Sequence, residues 1–137
     1  MTNITRKEIK KVFQKNGKKM YYLNLGFNNH DDPMQSGIVK DYNYKILLFI
    51  TMNDIKQYLI NRNHIFYGNK YEINFGELKK IKNDWEYDNR LYILDNGYKT
   101  FHYVDIEELS SIKELNKFFD DNSVLKSEKM IRYSIYQ

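Results

Sequence analysis

Cysteine is absent from this 137-residue chain, and so is alanine. Without cysteine there is no disulfide, no thiolate metal site and no Cys nucleophile. That absence is neutral about compartment, and it fits a cytoplasmic life. Proline occurs once, at Pro33, and glycine six times. Arginine is scarce, four residues against eighteen lysines, which limits bidentate reading of guanine edges. The longest apolar run is residues 46–50, far short of the roughly 20 residues that cross a bilayer as a helix. The opening MTNITRKEIKK has no apolar h-region and does not read as a signal peptide. No membrane partner is expected.

Familiar catalytic signatures are missing too. The chain has no G-x-x-x-x-G-K-[ST], G-x-G-x-x-G, G-x-S-x-G or H-E-x-x-H, so the common NTPase, dinucleotide, hydrolase and zinc-protease designs are disfavoured. None of His30, His64 and His102 opens an H-x-T or H-x-S pair. No cofactor and no catalytic residue are assigned.

What is present is skewed. Sixteen asparagines, eighteen lysines, fifteen isoleucines and thirteen tyrosines are residues that A+T-rich codons encode. The skew points to a low-G+C bacterium, or to a phage or plasmid living in one. Hydrophobic residues at 42% and aromatics at 16% supply a core and argue against disorder. The length fits one domain, residues 1–137.

Periodicity gives the elements. At 4–17, Thr5 and Glu8 form a capping box, Ile4 and Ile9 a hydrophobic staple, and Gly17 is placed to stop the helix. At 20–27, Tyr21, Leu23, Leu25 and Phe27 alternate onto one face of a strand. Residues 28–37 form a polar loop around Pro33. Residues 38–51 end in the apolar run, which suits a central strand buried on both faces. Asn53 or Asp54 caps a short helix with Ile55, Tyr58 and Leu59 inward. Residues 65–75 read as a hairpin on a two-residue turn at Gly68. Residues 85–87 read as a strand. Residues 90–104 read as a hairpin on Asn96-Gly97. Asp105 caps an acidic helix with Glu108 at N3, and Ser111 with Glu114 offers a second start. The segment 130–136 reads as a last strand at a sheet edge, through which a homodimer could form. The expected fold is α+β, with a mostly antiparallel sheet of six to seven strands and two to three helices.

Charge is unevenly placed. Residues 1–20 carry seven cations and one anion, while residues 105–121 carry six acids and two lysines. Lys7, Lys11, Lys15 and Lys18 run down one side of the first helix, and Arg6 and Lys10 extend that side. Such a stripe suits a phosphate backbone or an acidic protein surface. Tyr42, Tyr44, Tyr87, Tyr98 and Tyr136 flank turns or strand ends and are candidate exposed contacts, since tyrosine offers large area at little entropy cost. The acids at 105–121 read either as a mimic of nucleic-acid charge or as helix-capping residues. His30-Asp31-Asp32 is the best catalytic candidate, two carboxylates beside an imidazole that could hold a divalent metal or share a proton, against a plain solvated turn that Asp32-Pro33 initiates.

Three functions are weighed. The first is a small non-enzymatic binding protein, a phage- or mobile-element-encoded inhibitor that blocks a host nucleic-acid-handling or defence enzyme by protein contact, as anti-CRISPR proteins do. The second is a nucleic-acid-binding module using the basic helix. The third is a small metal-dependent nucleotide-processing enzyme centred on His30, Asp31 and Asp32.

Overall fold

The apolar run at 46–50 forms the strand that both halves of the core share. The computed structural model describes residues 2–27, 37–40, 45–61, 64–67, 71–74, 90–95, 100–122 and 129–133, with side chains at 5–26, 37–40, 45–61 and 103–122. In chain order the elements are β1 (Thr2–Thr5), α1 (Arg6–Lys15), β2 (Met20–Phe27), β3 (Gly37–Lys40), β4 (Leu47–Phe49), α2 (Met52–Asn61), β5 (His64–Tyr67), β6 (Tyr71–Asn74), β7 (Arg90–Asp95), β8 (Thr100–Leu109), α3 (Ile112–Asp121) and β9 (Lys129–Tyr133). The class is α+β, and among the described residues there are three helices.

β2 organises the sheet. β8 pairs antiparallel along its full length, from Met20↔Leu109 to Phe27↔His102. The other edge of β2 is shared by β3, at Asn24↔Ile38 and Leu25↔Gly37, and by β4, at Tyr21↔Phe49. These four strands are the antiparallel centre. Beyond them β7 pairs β8, β5 and β6 continue from β3, and β9 lies parallel to β4. Nine strands are described against the six or seven expected. Segment 38–51 divides into β3 and β4, and Thr2–Thr5 pairs with β9 before the first helix begins.

Alternation then decides what each face buries. On β4, Leu47 and Phe49 join Leu23, Leu25, Val104 and Ile106 under α2, which contributes Ile55, Tyr58 and Leu59. Leu48 and Ile46 point the other way and join Met20 and Leu109 under α1 and α3, which contribute Ile9, Phe13, Leu115, Phe118 and Phe119. The sheet is therefore a middle layer with helices on both sides.

The helix ends follow local chemistry. The Thr5–Glu8 box is present, the Glu8 N–H donating to the Thr5 hydroxyl at 3.4 Å. After the Asn16 C-cap, Gly17 (φ 71) and Lys18 (φ 59) are both left-handed. The Lys18 N–H donates to the Phe13 carbonyl at 2.9 Å, which is the closing bond of a Schellman turn.

Four expectations need correction. The cap of α2 is Thr51, not Asn53 or Asp54: the Asp54 N–H donates to the Thr51 hydroxyl at 3.1 Å, and the Thr51 N–H donates back to the Asp54 carboxylate at 3.3 Å. Asp54 is the third residue of the helix, in the place of the usual Glu. Residues 105–109 belong to β8 rather than to a helix, because Val104 and Ile106 alternate with Asp105 and Glu107 and fill the core in that order. Only Ser111 caps α3, accepting from the Glu114 N–H at 3.1 Å. Finally, β9 is not an edge strand, since it lies between β4 and β1. The first hairpin also differs, its register Tyr67↔Tyr71 leaving three residues between the partners. The strand expected at 85–87 lies outside the described residues.

Gly26 stands directly opposite Tyr103 in the β2–β8 pairing, and the Tyr103 ring lies across the space a Cβ would occupy there. Gly26→Ala should therefore cost about 1–3 kcal/mol, the usual range for overpacking. The companion Gly26→Ala/Tyr103→Ala variant should recover part of that loss relative to Tyr103→Ala alone. Urea unfolding measures both, and an unchanged midpoint for Gly26→Ala would contradict the packing described.

Candidate functional site: the lysine face of the first helix

Ile9 and Phe13 are fully buried and Val12 is half-buried against the same cluster. Their spacing turns one side of α1 to the sheet and the other to solvent. On the solvent side Lys7, Lys11, Lys15 and Lys18 are exposed, with Gln14 among them. Lys10 lies half-buried on the flank. The structure thus brings together all five lysines read from the sequence. Among the described residues none of the five makes an ion pair.

The helix is held at both ends. At its start the capping box is preceded by the β1–β9 pairing. At its end the Asn16 side-chain amide donates to the carbonyls of Lys19, at 3.0 Å, and Ile50, at 3.2 Å. That second bond ties the end of the helix to the residue after β4. Lys7 and Lys15 lie eight residues apart, about 12 Å at the usual helical rise.

Two neighbouring cations do not belong to this face. The Arg6 guanidinium lies 4.7 Å from the centre of the Phe119 ring and 3.5 Å from the Asp120 carboxylate. It links α1 to α3. Sequence spacing placed Arg6 beside the lysines; only the packing of α3 shows that it turns inward. Lys19 sits 3.5 Å from Glu108.

The acidic stretch is largely consumed within the chain. Asp120 pairs with Arg6, Asp121 with Lys117 at 2.6 Å, and Glu108 with Lys19. Glu114 accepts from the Ser110 N–H at 2.9 Å. Glu107 stands opposite Tyr22 in the β2–β8 register. The Tyr22 ring packs on Phe118, with centroids 4.5 Å apart. Burial raises the pKa of Tyr22 above the ordinary tyrosine value, and the negative charges of Glu107 and Asp121 add to the shift.

The remaining candidates cannot be placed. Tyr42, Tyr44, Tyr87, Tyr98 and Tyr136 lie outside the described residues, as does His30-Asp31-Asp32. Among the described residues no three His, Asp or Glu side chains converge on a metal-sized site. Nor is any described helix long and apolar enough to cross a membrane.

Comparison with known proteins returns nothing. No family model, no curated protein and no solved structure matches the chain. The geometry of the lysine face is therefore what a functional reading has to build on.

Two outcomes follow. Arg6→Ala should destabilise the fold by about 1 kcal/mol, the scale of one cation–π contact, and leave polyanion binding by the lysines intact. Denaturation together with retention on an immobilised polyanion tests this; lost retention with unchanged stability would return Arg6 to the contact face. For Tyr22, the raised folded-state pKa means that its contribution is fully present below the unfolded value near 10 and is lost as pH rises through the folded value. Tyr22→Phe should accordingly lose less stability than the wild type between neutral and strongly alkaline pH. Equal losses, measured by denaturation at stepped pH, would remove that account.

Proposed function

We propose that this protein works by surface contact and has no catalysis of its own, and that the lysine face of α1 is the surface it offers. One observation carries the reading. Four lysines on one anchored helix, and Lys18 in the turn that ends it, make no ion pair among the described residues, while four acids between 105 and 121 are taken up by partners within the chain. A concentration of one charge sign raises the local density of opposite charge and speeds encounter with an anionic partner.

The biological role proposed is that of an inhibitor of the anti-CRISPR kind. Its target would be a host nucleic-acid-handling or defence enzyme in a low-G+C bacterium, and its action steric. The composition of the chain supports that host, and the lysine face supports contact with something anionic in such a system. The acid-mimic variant of this idea is weakened by the internal pairing of Glu108, Asp120 and Asp121. Direct contact with nucleic acid is the second reading, favoured by the same unpaired lysines.

The Lys7/Lys11/Lys15→Glu variant should elute from heparin at much lower salt than the wild type. Expression of the wild type, but not of the variant, should raise phage plaque counts in a host with an active nucleic-acid-directed defence. Equal elution of the two proteins would sink the lysine face as a contact surface. Equal plaque counts with different elution would sink the inhibitory role alone.

A further inference from the structure

We infer that the ligand of the lysine face is the phosphate backbone of a nucleic-acid duplex, contacted without base reading through the five lysines of that face. This rests on the second reading above, direct contact of the lysine face with nucleic acid, and stands apart from the inhibitory role.

The composition of the face separates the classes of anionic partner. Stable protein interfaces rely on buried Trp, Tyr or Arg anchors, and their centres are depleted in lysine. The exposed residues of α1 are Lys7, Glu8, Lys11, Gln14 and Lys15, with Lys10 on the flank and Lys18 just beyond the C-cap. They include no aromatic and no aliphatic anchor. Arg6, the one arginine of the helix, is withdrawn onto Phe119 and Asp120. A phosphate backbone needs no anchor, because released counterions drive the association.

Composition also separates duplex from single strand. Single-strand binders combine a basic track with aromatic side chains on which bases stack. The exposed side of α1 carries none. A duplex keeps its bases stacked within itself and presents its charge in the grooves and along the backbone. The planar arginine fork that best fits a guanine edge is not offered by this helix, because Arg6 is held by Phe119 and Asp120. Gln14 is the one side chain on the face with an amide, the group that reads adenine edges.

The number of unpaired lysines sets the salt dependence. Lys19 is engaged by Glu108, so the face supplies five cations. On duplex DNA each phosphate contact contributes a slope of about −0.9 in log K against log salt, so the face should contribute up to about −4.5 to the slope. Each Lys→Gln change on the face should lower that magnitude by about 0.9. Lys56 is exposed on α2, on the other side of the sheet, and Lys56→Gln should leave the slope unchanged.

The experiment is fluorescence anisotropy with two short DNA duplexes of unrelated sequence, a single strand of the same length and poly-glutamate, each over a salt series. The proteins are wild type, Lys11→Gln, Lys7/Lys11/Lys15→Gln, Gln14→Ala and Lys56→Gln, with circular dichroism to verify folding. Expected are equal affinities for the two duplexes, weaker binding of the single strand, a slope that falls with each lysine removed, and no effect of Gln14→Ala. Duplex binding that discriminates sequence and loses that discrimination in Gln14→Ala overturns the absence of base reading. Tighter binding of the single strand overturns the duplex. Lysine-dependent binding of poly-glutamate with no duplex binding overturns nucleic acid as the ligand while keeping the lysine face. Binding that no lysine change alters overturns the face itself, and this inference with it.

Discussion

Two-sided burial of β4 is the constraint on which the rest of the structure depends. Leu47, Leu48 and Phe49 are all fully buried, and strand geometry sends the middle one to the opposite face. Each such side chain is worth roughly 1.5–3 kcal/mol only if a cover lies over it. α2 covers one face, and α1 with α3 covers the other. β2 repeats the pattern beside it, with Leu23 and Leu25 on the first face and Met20 on the second. A chain without this double-faced strand would have no reason to place helices on both sides of its sheet.

The same packing sorts the surface charge. Bringing α3 beside α1 puts Phe119 and Asp120 within reach of Arg6, and pairing β8 with β2 puts Glu108 near Lys19. These pairs are at or near the surface, and each contributes at most about 1 kcal/mol to stability. Their larger consequence is subtraction. They use up the acids that would otherwise offset the basic helix and leave Lys7, Lys10, Lys11, Lys15 and Lys18 facing outward together.

Anchoring gives that face its shape. A ten-residue helix is marginal by itself, and α1 is exactly such a length. Burial of Ile9 and Phe13, the Thr5–Glu8 box and the Asn16 bonds to Lys19 and Ile50 hold it. The lysines therefore project from a positioned scaffold, and ordering them on contact with a partner costs side-chain entropy but little backbone entropy.

Local rules made much of this legible in advance. The capping box of α1, the Gly17 stop, the inward residues of the first two helices and the double burial of the run at 46–50 all depend on neighbours close in sequence. So does the grouping of Lys7, Lys10, Lys11 and Lys15, since helical spacing alone puts them on one side; Lys18 joins them from the turn that ends the helix. What local rules missed depended on distant partners. Thr2–Thr5 is a strand because residues 129–133 come to pair with it. Asp105, Glu107 and Glu108 lie on a strand because β2 offers a continuous edge to β8; the alternation of Val104 and Ile106 signalled this, and a competing helix-cap pattern obscured it. Arg6 is drawn off the basic face because α3 packs where it does. The sequence by itself determined which residues are apolar, charged and helix-capping, since those are properties of side chains and their near neighbours. Only the tertiary structure decided which charges of the first helix region cancel, because Arg6 meets Asp120 and Lys19 meets Glu108 across long stretches of chain.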